Sequence, residues 1–347
     1  MATTYNQDPQ FLPWLTPMTA ELTERLLIAE QAGANRMPTG SFVQKCIKGK
    51  QYWYVQWSEC GRQRQQYFGP DSEAEAARRA TLQSLWHAAM LQTHSRAELC
   101  QLLRAGQLLP APAAPSSRLL VALHATGLHR SGAVLIGTFA FMAYQGLFGL
   151  KWPAQVGETQ DIDIASEPHV WLIVPENLQL WPLLQRHGLA PIAPPDQMTA
   201  TSFASARADM RVDVIAPLRG RPSSAPLQLP NLGLAGVPLR FIDHLIDDPV
   251  LVSVPLADGV LVVVPQPARF ALHKLLVAPY RRSEDKRRKD LRQAEFLLEL
   301  LVEAEPMAIH AAYSSLPLAG WRRKVIQAFQ GLRPQLAGAL TELVEHG

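Results

Sequence analysis

Cysteine is scarce in this chain of 347 residues: only Cys46, Cys60 and Cys100 occur. An odd count with no C-x-x-C spacing excludes a disulfide framework and a zinc ribbon. Charge of one sign is missing as well, since 33 basic residues against 30 acidic ones leave 33 − 30 = +3. A surplus that small does not identify a polyanion binder, so any basic patch must be local. Charged residues make up 18% and hydrophobic ones 48%, which excludes a disordered or acidic-tail chain. The opening MATTYNQDPQ lacks a basic segment followed by an apolar one, so no secretory signal is expected. With so little cysteine, the expected compartment is a reducing cytoplasm. Internal repeats and G-x-S-x-G are absent too, and no Cys/His arrangement points to a hydrolase. The histidines show no H-x-x-x-H: His124 and His129 lie five apart, His87 and His94 seven apart. Most are expected on the surface or at caps, and they form no metal pattern.

Long uncharged runs are limited to one, Ser131 to Leu150. Its length suits a membrane span of ~20 residues. Gly132, Gly137, Gly146 and Gly149 within it favour a buried strand, a glycine turn and a buried helix instead. What is plentiful is proline, 28 residues, which predicts many punctuated loops.

The punctuation divides the chain into an N-terminal module at 1–105, a Pro/Ala-rich linker at 106–117, a central domain at 118–265 and a helical domain at 266–347. Alternating residues over 41–68 predict a three-stranded meander joined at Gly49-Lys50. A helix follows from Asp71 to about Ala105, with Asp71 or Ser72 as N-cap and Glu73 and Glu75 in its first turn. QLLPAPAAPSS reads as the linker, because its prolines cannot continue a helix. The central block mixes helical runs with strands expected at Ala133–Ile136, Asp161–Ala165, Val170–Val174, Arg211–Ile215 and Val260–Val264, an α+β or α/β pattern. Beyond Pro267 apolar residues recur at three and four, from Leu291 to Leu301, as on a helix.

The residues with chemical meaning are Asp161 and Asp163 in TQDIDIA and Asp213 in MRVDVIA. In a strand, positions i and i+2 share a face, so Asp161 and Asp163 emerge side by side. Close like charges repel, and a divalent metal neutralises them; oxygen-only ligands suit Mg²⁺. A neighbouring strand bearing Asp213 can add a third ligand. The plainer readings are a strand end with two solvated aspartates, and a satisfied core or edge carboxylate at Asp213. Upstream, Gly137 and Thr138 stand between an apolar strand and an apolar helix. Such a turn either holds a phosphate on its backbone N–H groups or simply needs glycine for its backbone.

Gly137-Thr138, Thr159-Gln160-Asp161-Ile162-Asp163 and Asp213, in that order, resemble the polymerase-β-like nucleotidyltransferase superfamily. RFALHKLLVAPYRR and KRRKDLRQA, further on, are similar to the downstream segment of a bacterial family of stand-alone nucleotidyltransferases and, more loosely, to abortive-infection toxin nucleotidyltransferases. The likeness covers about residues 118–302. It implies an α+β nucleotidyltransferase domain, carrying a β-meander and helix module before it and a helical domain after it. It implies transfer of a nucleoside monophosphate from an NTP to a hydroxyl acceptor by a two-metal mechanism. Asp161, Asp163 and Asp213 would be catalytic and bind Mg²⁺ or Mn²⁺, and Gly137, Thr138, Thr159, Lys274 and Lys289 would hold nucleotide or phosphate. The stretch GLFGLKWPAQVGE is an apparent insertion, Gly157 replaces a common basic residue, and Thr138 replaces a common glycine or serine.

Basic residues cluster from Tyr280 to Arg292, where seven cations against three anions give 7 − 3 = +4. That run could meet polyphosphate, or it could be a solvated face with pairs such as Asp285–Lys289 and Lys286–Asp290. Lys274 sits in the otherwise apolar ALHKLLV and needs a partner or a purpose. The meander interleaves Lys45, Lys48, Lys50, Arg62 and Arg64 with Tyr52, Trp53, Tyr54, Trp57 and Tyr67. This suits either nucleic-acid stacking or the core face of a small sheet. The acceptor stays open between RNA, protein and small molecules, and no membrane partner is expected. Two other classes fit the same residues: a catalytically inactive nucleotidyltransferase-fold module that binds nucleic acid or protein, and the toxin component of a defence system.

Overall fold

The computed structural model describes residues 10–31, 40–59, 62–105, 114–152, 161–168, 178–192, 199–207 and 209–346. Strand β1 (Gln10–Phe11) leads into helix α1 (Leu15–Gln31), whose buried Leu15, Leu22 and Leu26 repeat at helical spacing. Strands β2 (Ser41–Ile47), β3 (Lys50–Glu59) and β4 (Arg62–Pro70) form the antiparallel meander. Its first turn is Lys48-Gly49 rather than Gly49-Lys50. Both turn residues have positive φ, 51° and 76°, as a two-residue hairpin turn demands, and Lys50 already pairs with Ile47. Helix α2 (Glu73–Ala105) starts where Ser72 Oγ accepts the Glu75 N–H at 3.4 Å.

Packing on α2 sorts the meander's side chains. Phe42 stacks on Trp86 with ring centroids 5.2 Å apart, and the Arg79 guanidinium lies 3.7 Å above Trp53. The opposite face carries Tyr52, Tyr54 and Tyr67, with Lys45 Nζ 4.6 Å from the Tyr54 ring. Sequence alternation left core and stacking open as alternatives; one face serves α2 and the other stays outward.

Helix α3 (Ala114–Ala125) begins inside the stretch read as linker, with Pro115 tolerated in its first turn and Ser116 buried. The uncharged run becomes β5 (Val134–Ile136), α4 (Gly137–Phe148) and β6 (Leu150–Lys151). No helix among the described residues is long and apolar enough to cross a membrane. The apparent insertion begins with a structural purpose: β6 pairs with β1, and Trp152 is buried with its Nε1 donating to Phe141 O at 2.8 Å.

Next come β7 (Asp161–Ala165), α5 (Leu180–Arg186), β8 (Leu189–Pro191), β9 (Ser202–Ser205), β10 (Arg211–Pro217), β11 (Leu227–Leu229) and β12 (Leu234–Leu239). Helix α6 (Ile242–Ile246) and the hairpin β13 (Val250–Val254) and β14 (Val260–Val264) follow. The expected strand at 170–174 lies outside the described residues. The main sheet runs β11-β12-β10-β7-β5, with β9 joining β10 and β8 joining β9. Strand β10 is parallel to β7 and β12, whereas β5 is antiparallel to β7, so the sheet is mixed. The chain closes with α7 (Pro267–Val277), α8 (Glu284–Ala304), α9 (Pro306–Ser314), α10 (Ala319–Phe329) and α11 (Pro334–His346). One continuous apolar core joins sheet and closing helices, from Leu119 to Val344. A smaller one, with Leu15, Leu22, Cys100 and Leu261, attaches α1 and α2 to β14.

Candidate active site

Alternation in β7 buries Ile162 and Ile164 and sends Asp161 and Asp163 to the other face. In β10 the same alternation buries Val212 and Val214 and turns out Arg211 and Asp213. Parallel register sets Asp213 beside Asp163 and Arg211 beside Asp161, so the three aspartates share one face of the sheet. On the other flank, Ile136 of β5 is opposite Asp163, and the chain then turns at Gly137 with φ +69°. A Cβ on Gly137 would stand 2.2 Å from Asp163 Oδ2. Glycine is therefore required twice over, by its backbone and by the carboxylate seated against it. The turn opens α4 beside the aspartates; the first-turn N–H groups of any helix have no intrahelical acceptor, and here no side chain caps them. Thr138 is in that turn, partly buried.

Two residues join the site that sequence reading did not single out. Arg211 Nε donates to Asp213 Oδ1 at 2.9 Å, and Ser202 Oγ of β9 donates to the same oxygen at 2.5 Å. Arg211 was findable, because R-x-D in a strand shares a face; Ser202 depends on the β9–β10 register, which the sequence does not display.

Behind the carboxylates, Lys274 of α7 is buried at 6% exposure, with Nζ 2.5 Å from Asp290 Oδ1. Arg281 Nε donates to Asp290 Oδ2 at 2.6 Å. The Lys286–Asp290 pair gives way to this arrangement because Asp290 is on the inward face of α8. Asp285 likewise bonds Arg288 at 2.7 Å. Lys289 is partly buried on α8, next to the buried Asp290. Thr159 lies outside the described residues.

The electrostatics leave the Asp163 carboxylate short of compensating charge. Burial, with Asp213 and Asp161 alongside, pushes the Asp163 carboxyl up to about 6 despite the opposing charges of Lys274 and Arg281. Burial lowers Lys274, and Asp290 beside it works the other way. Burial also works to raise Asp290, but Lys274 and Arg281 outweigh it and hold that carboxyl below its ordinary value. An oxygen-only, anion-rich face next to a helix N-terminus fits a hard divalent cation carrying phosphate oxygens. The three aspartates do not converge as a ready-made cage. Among the described residues, ligand atoms come within 4.8 Å of one another at Glu30, His124 and His129 instead. The expectation of surface or capping histidines fails there: the His129 side chain is 3% exposed, and burial lowers His124 to about 4.

A nucleotidyltransferase family model matches residues 114–317, more than half of the chain. A second model, a domain of unknown function (DUF6788), matches residues 19–78, which hold most of α1 and the meander. No curated protein and no solved structure matches the chain. By the first match, over the segment that carries the glycine turn and all three aspartates, the chain belongs to the nucleotidyltransferase family.

Proposed function

We propose that this protein moves a nucleoside monophosphate from an NTP to a hydroxyl acceptor. The acceptor oxygen bonds to the α-phosphorus, the bond from that phosphorus to the β-phosphate oxygen breaks, and pyrophosphate leaves. The observation that carries the reading is the meeting of Gly137 with Asp163, flanked by Asp161 and Asp213 on one sheet face. Asp161, Asp163 and Asp213 are the residues to hold Mg²⁺ or Mn²⁺. Bound there, such ions supply charge neutralisation to the triphosphate and to the attacking and leaving oxygens.

The chain's own groups do the positioning. N–H groups at Gly137 and Thr138 face where phosphate oxygens would bind, with the N-terminus of α4 behind them. Thr159 and Lys289 are the further residues assigned to phosphate contact in this reading. Arg211 and Ser202 fix Asp213 in one rotamer, and the Lys274–Asp290–Arg281 network sets a positive field behind Asp163. Preorganised charge of this kind is the main resource of phosphoryl-transfer sites. A cytoplasmic setting agrees with both the cysteine usage and an NTP donor.

The test is label transfer: each α-labelled NTP, Mg²⁺ or Mn²⁺, and fractionated cell extract as acceptor. Labelled acceptor and pyrophosphate are expected from the native chain and from neither Asp161→Asn nor Asp163→Asn. Equal label transfer by the double variant refutes the reading.

For the acceptor, the outward meander face favours a nucleic acid. Tyr52, Tyr54 and Tyr67 stand together with ring centroids 5.6 to 6.1 Å apart, and Lys45 lies beside them. Base stacking on aromatics contributes about 1–3 kcal/mol per base. Changing the three tyrosines to Ala should therefore weaken salt-dependent binding of an oligouridine at least tenfold by fluorescence anisotropy. Unchanged affinity would remove the meander from the acceptor site.

A further inference from the structure

The described residues hold a second cluster of ligating side chains, remote in chemistry from the aspartates. Glu30 is in the last turn of α1, His124 near the end of α3, and His129 in the 3-10 turn Leu128–Arg130 that follows. Gly127, at φ +82°, bends the chain so that the two histidines meet with ring centroids 5.0 Å apart. Glu30 Oε1 comes to 2.7 Å from His129 Nε2, with the two side chains 13% and 3% exposed.

The orientation is the telling detail. Burial lowers the His129 imidazole and the Glu30 carboxylate beside it works the other way, yet the ring N–H is out of line with that oxygen, and Nδ1 is buried with no hydrogen-bond partner. Orphaned buried polar atoms are costly, and they call for an explanation in what the site holds. Ligands held at about 2.0–2.1 Å by one tetrahedral ion stand about 3.3 Å apart, so Glu30 and His129 would part by roughly half an ångström to take the ion between them. One ring nitrogen of His124 completes a set of three ligand atoms within 4.8 Å of one another.

We propose that Glu30, His124 and His129 bind a transition-metal ion of the Zn²⁺ class, distinct from the Mg²⁺ site, which fastens α1 to the nucleotidyltransferase core. Imidazole nitrogen with one carboxylate selects borderline metals over Mg²⁺, and three protein ligands leave a fourth position for water. The ligands come from the two segments matched by different families, Glu30 from residues 19–78 and the histidines from 114–317. The ion would thus join the N-terminal module to the core. Two existing contacts compete: Arg130 Nη1 at 3.5 Å from Glu30 Oε1, and the Leu261 N–H on His124 Nδ1 at 3.3 Å. Both are long, and the Arg130 side chain is 41% exposed and free to turn outward.

The full-length protein, stripped with chelator and kept in excess Mg²⁺, is titrated with Zn²⁺ by calorimetry and with Co²⁺ by visible absorption. One equivalent should bind, Co²⁺ should give the d–d bands of a tetrahedral nitrogen-oxygen site, and Zn²⁺ should raise the melting temperature. His124→Gln with His129→Gln should weaken Zn²⁺ by more than the ~10–100-fold that loss of an outer-shell partner costs. Asp161→Asn with Asp163→Asn should leave uptake intact. Absence of the Co²⁺ bands in the native chain overturns the proposal without any variant. Unchanged uptake by the histidine pair variant, or uptake lost in the aspartate variant, overturns it equally, the latter placing the ion on the carboxylates. None of these outcomes depends on nucleotidyl transfer.

Discussion

Asp163→Asn should make the metal-free protein more stable at pH 7 while removing its transferase activity. The sign follows from linkage. Burial raises the native carboxyl from 3.8 to about 6, so between those pH values the folded chain keeps a proton that the unfolded chain releases. Stability is therefore lost as pH rises from about 4 to about 6, and at pH 7 the loss is complete. Asparagine has nearly the same shape and does not ionise, so it escapes this loss. With the residue partly open to water, the gain is about 1–3 kcal/mol. Activity should move the other way, by at least ~10², because charge aimed at the reacting phosphate is the main catalytic resource. Urea melts of both proteins from pH 4 to 8 supply the check, read as the difference between them so that other titrating groups cancel. Saturating Mg²⁺ should then stabilise the native chain and leave the variant nearly unmoved, since only the native carboxylate gains from the ion. A flat difference curve would mean Asp163 is not held in the environment described. Normal transfer by the variant would mean its charge is not used.

This site was legible in the sequence wherever local periodicity fixed the outcome. The period of two in a strand puts Asp161 and Asp163 on one face whatever the rest of the fold does, and DIDIA and RVDVIA each announce it. The glycine turn was equally plain between an apolar strand and an apolar helix. What stayed hidden depends on distant pairing. Ser202 reaches Asp213 only because β9 lies antiparallel beside β10. Glu30 meets His129 only because α1 packs near the turn after α3. Lys274 showed by its apolar neighbours that it required a partner. Helical spacing suggested Lys286 for Asp290, whereas the inward face of α8 delivers Asp290 to Lys274 and Arg281. The overall charge of +3 was the least informative number, because it averages a basic helix with an acidic sheet face.

Asp290→Ala is the substitution expected to cost most in stability. It leaves Lys274 without its carboxylate at 6% exposure, and stranding one partner of a buried ion pair costs about 3–5 kcal/mol. Arg281 loses its partner too, but that side chain is 42% exposed and can turn to water. The pH dependence carries the opposite sign to that of Asp163. Lys274 and Arg281 hold the Asp290 carboxyl below its ordinary value, so its contribution is present above 3.8 and lost as pH falls through the native value. Replacing both partners, as Lys274→Met with Asp290→Leu, leaves no buried charge and should recover most of the loss in urea melts, since apolar replacements of buried pairs range from neutral to ~1–4 kcal/mol stabilising. That pair variant separates structure from chemistry. If the Lys274 charge helps to hold the triphosphate beside Asp163, the variant folds normally yet binds NTP more weakly. If it binds and transfers like the native chain, the pair serves packing alone. A loss below ~1 kcal/mol in Asp290→Ala, the size of an exposed surface pair, would show that Lys274 reaches solvent and that the field behind Asp163 is not fixed.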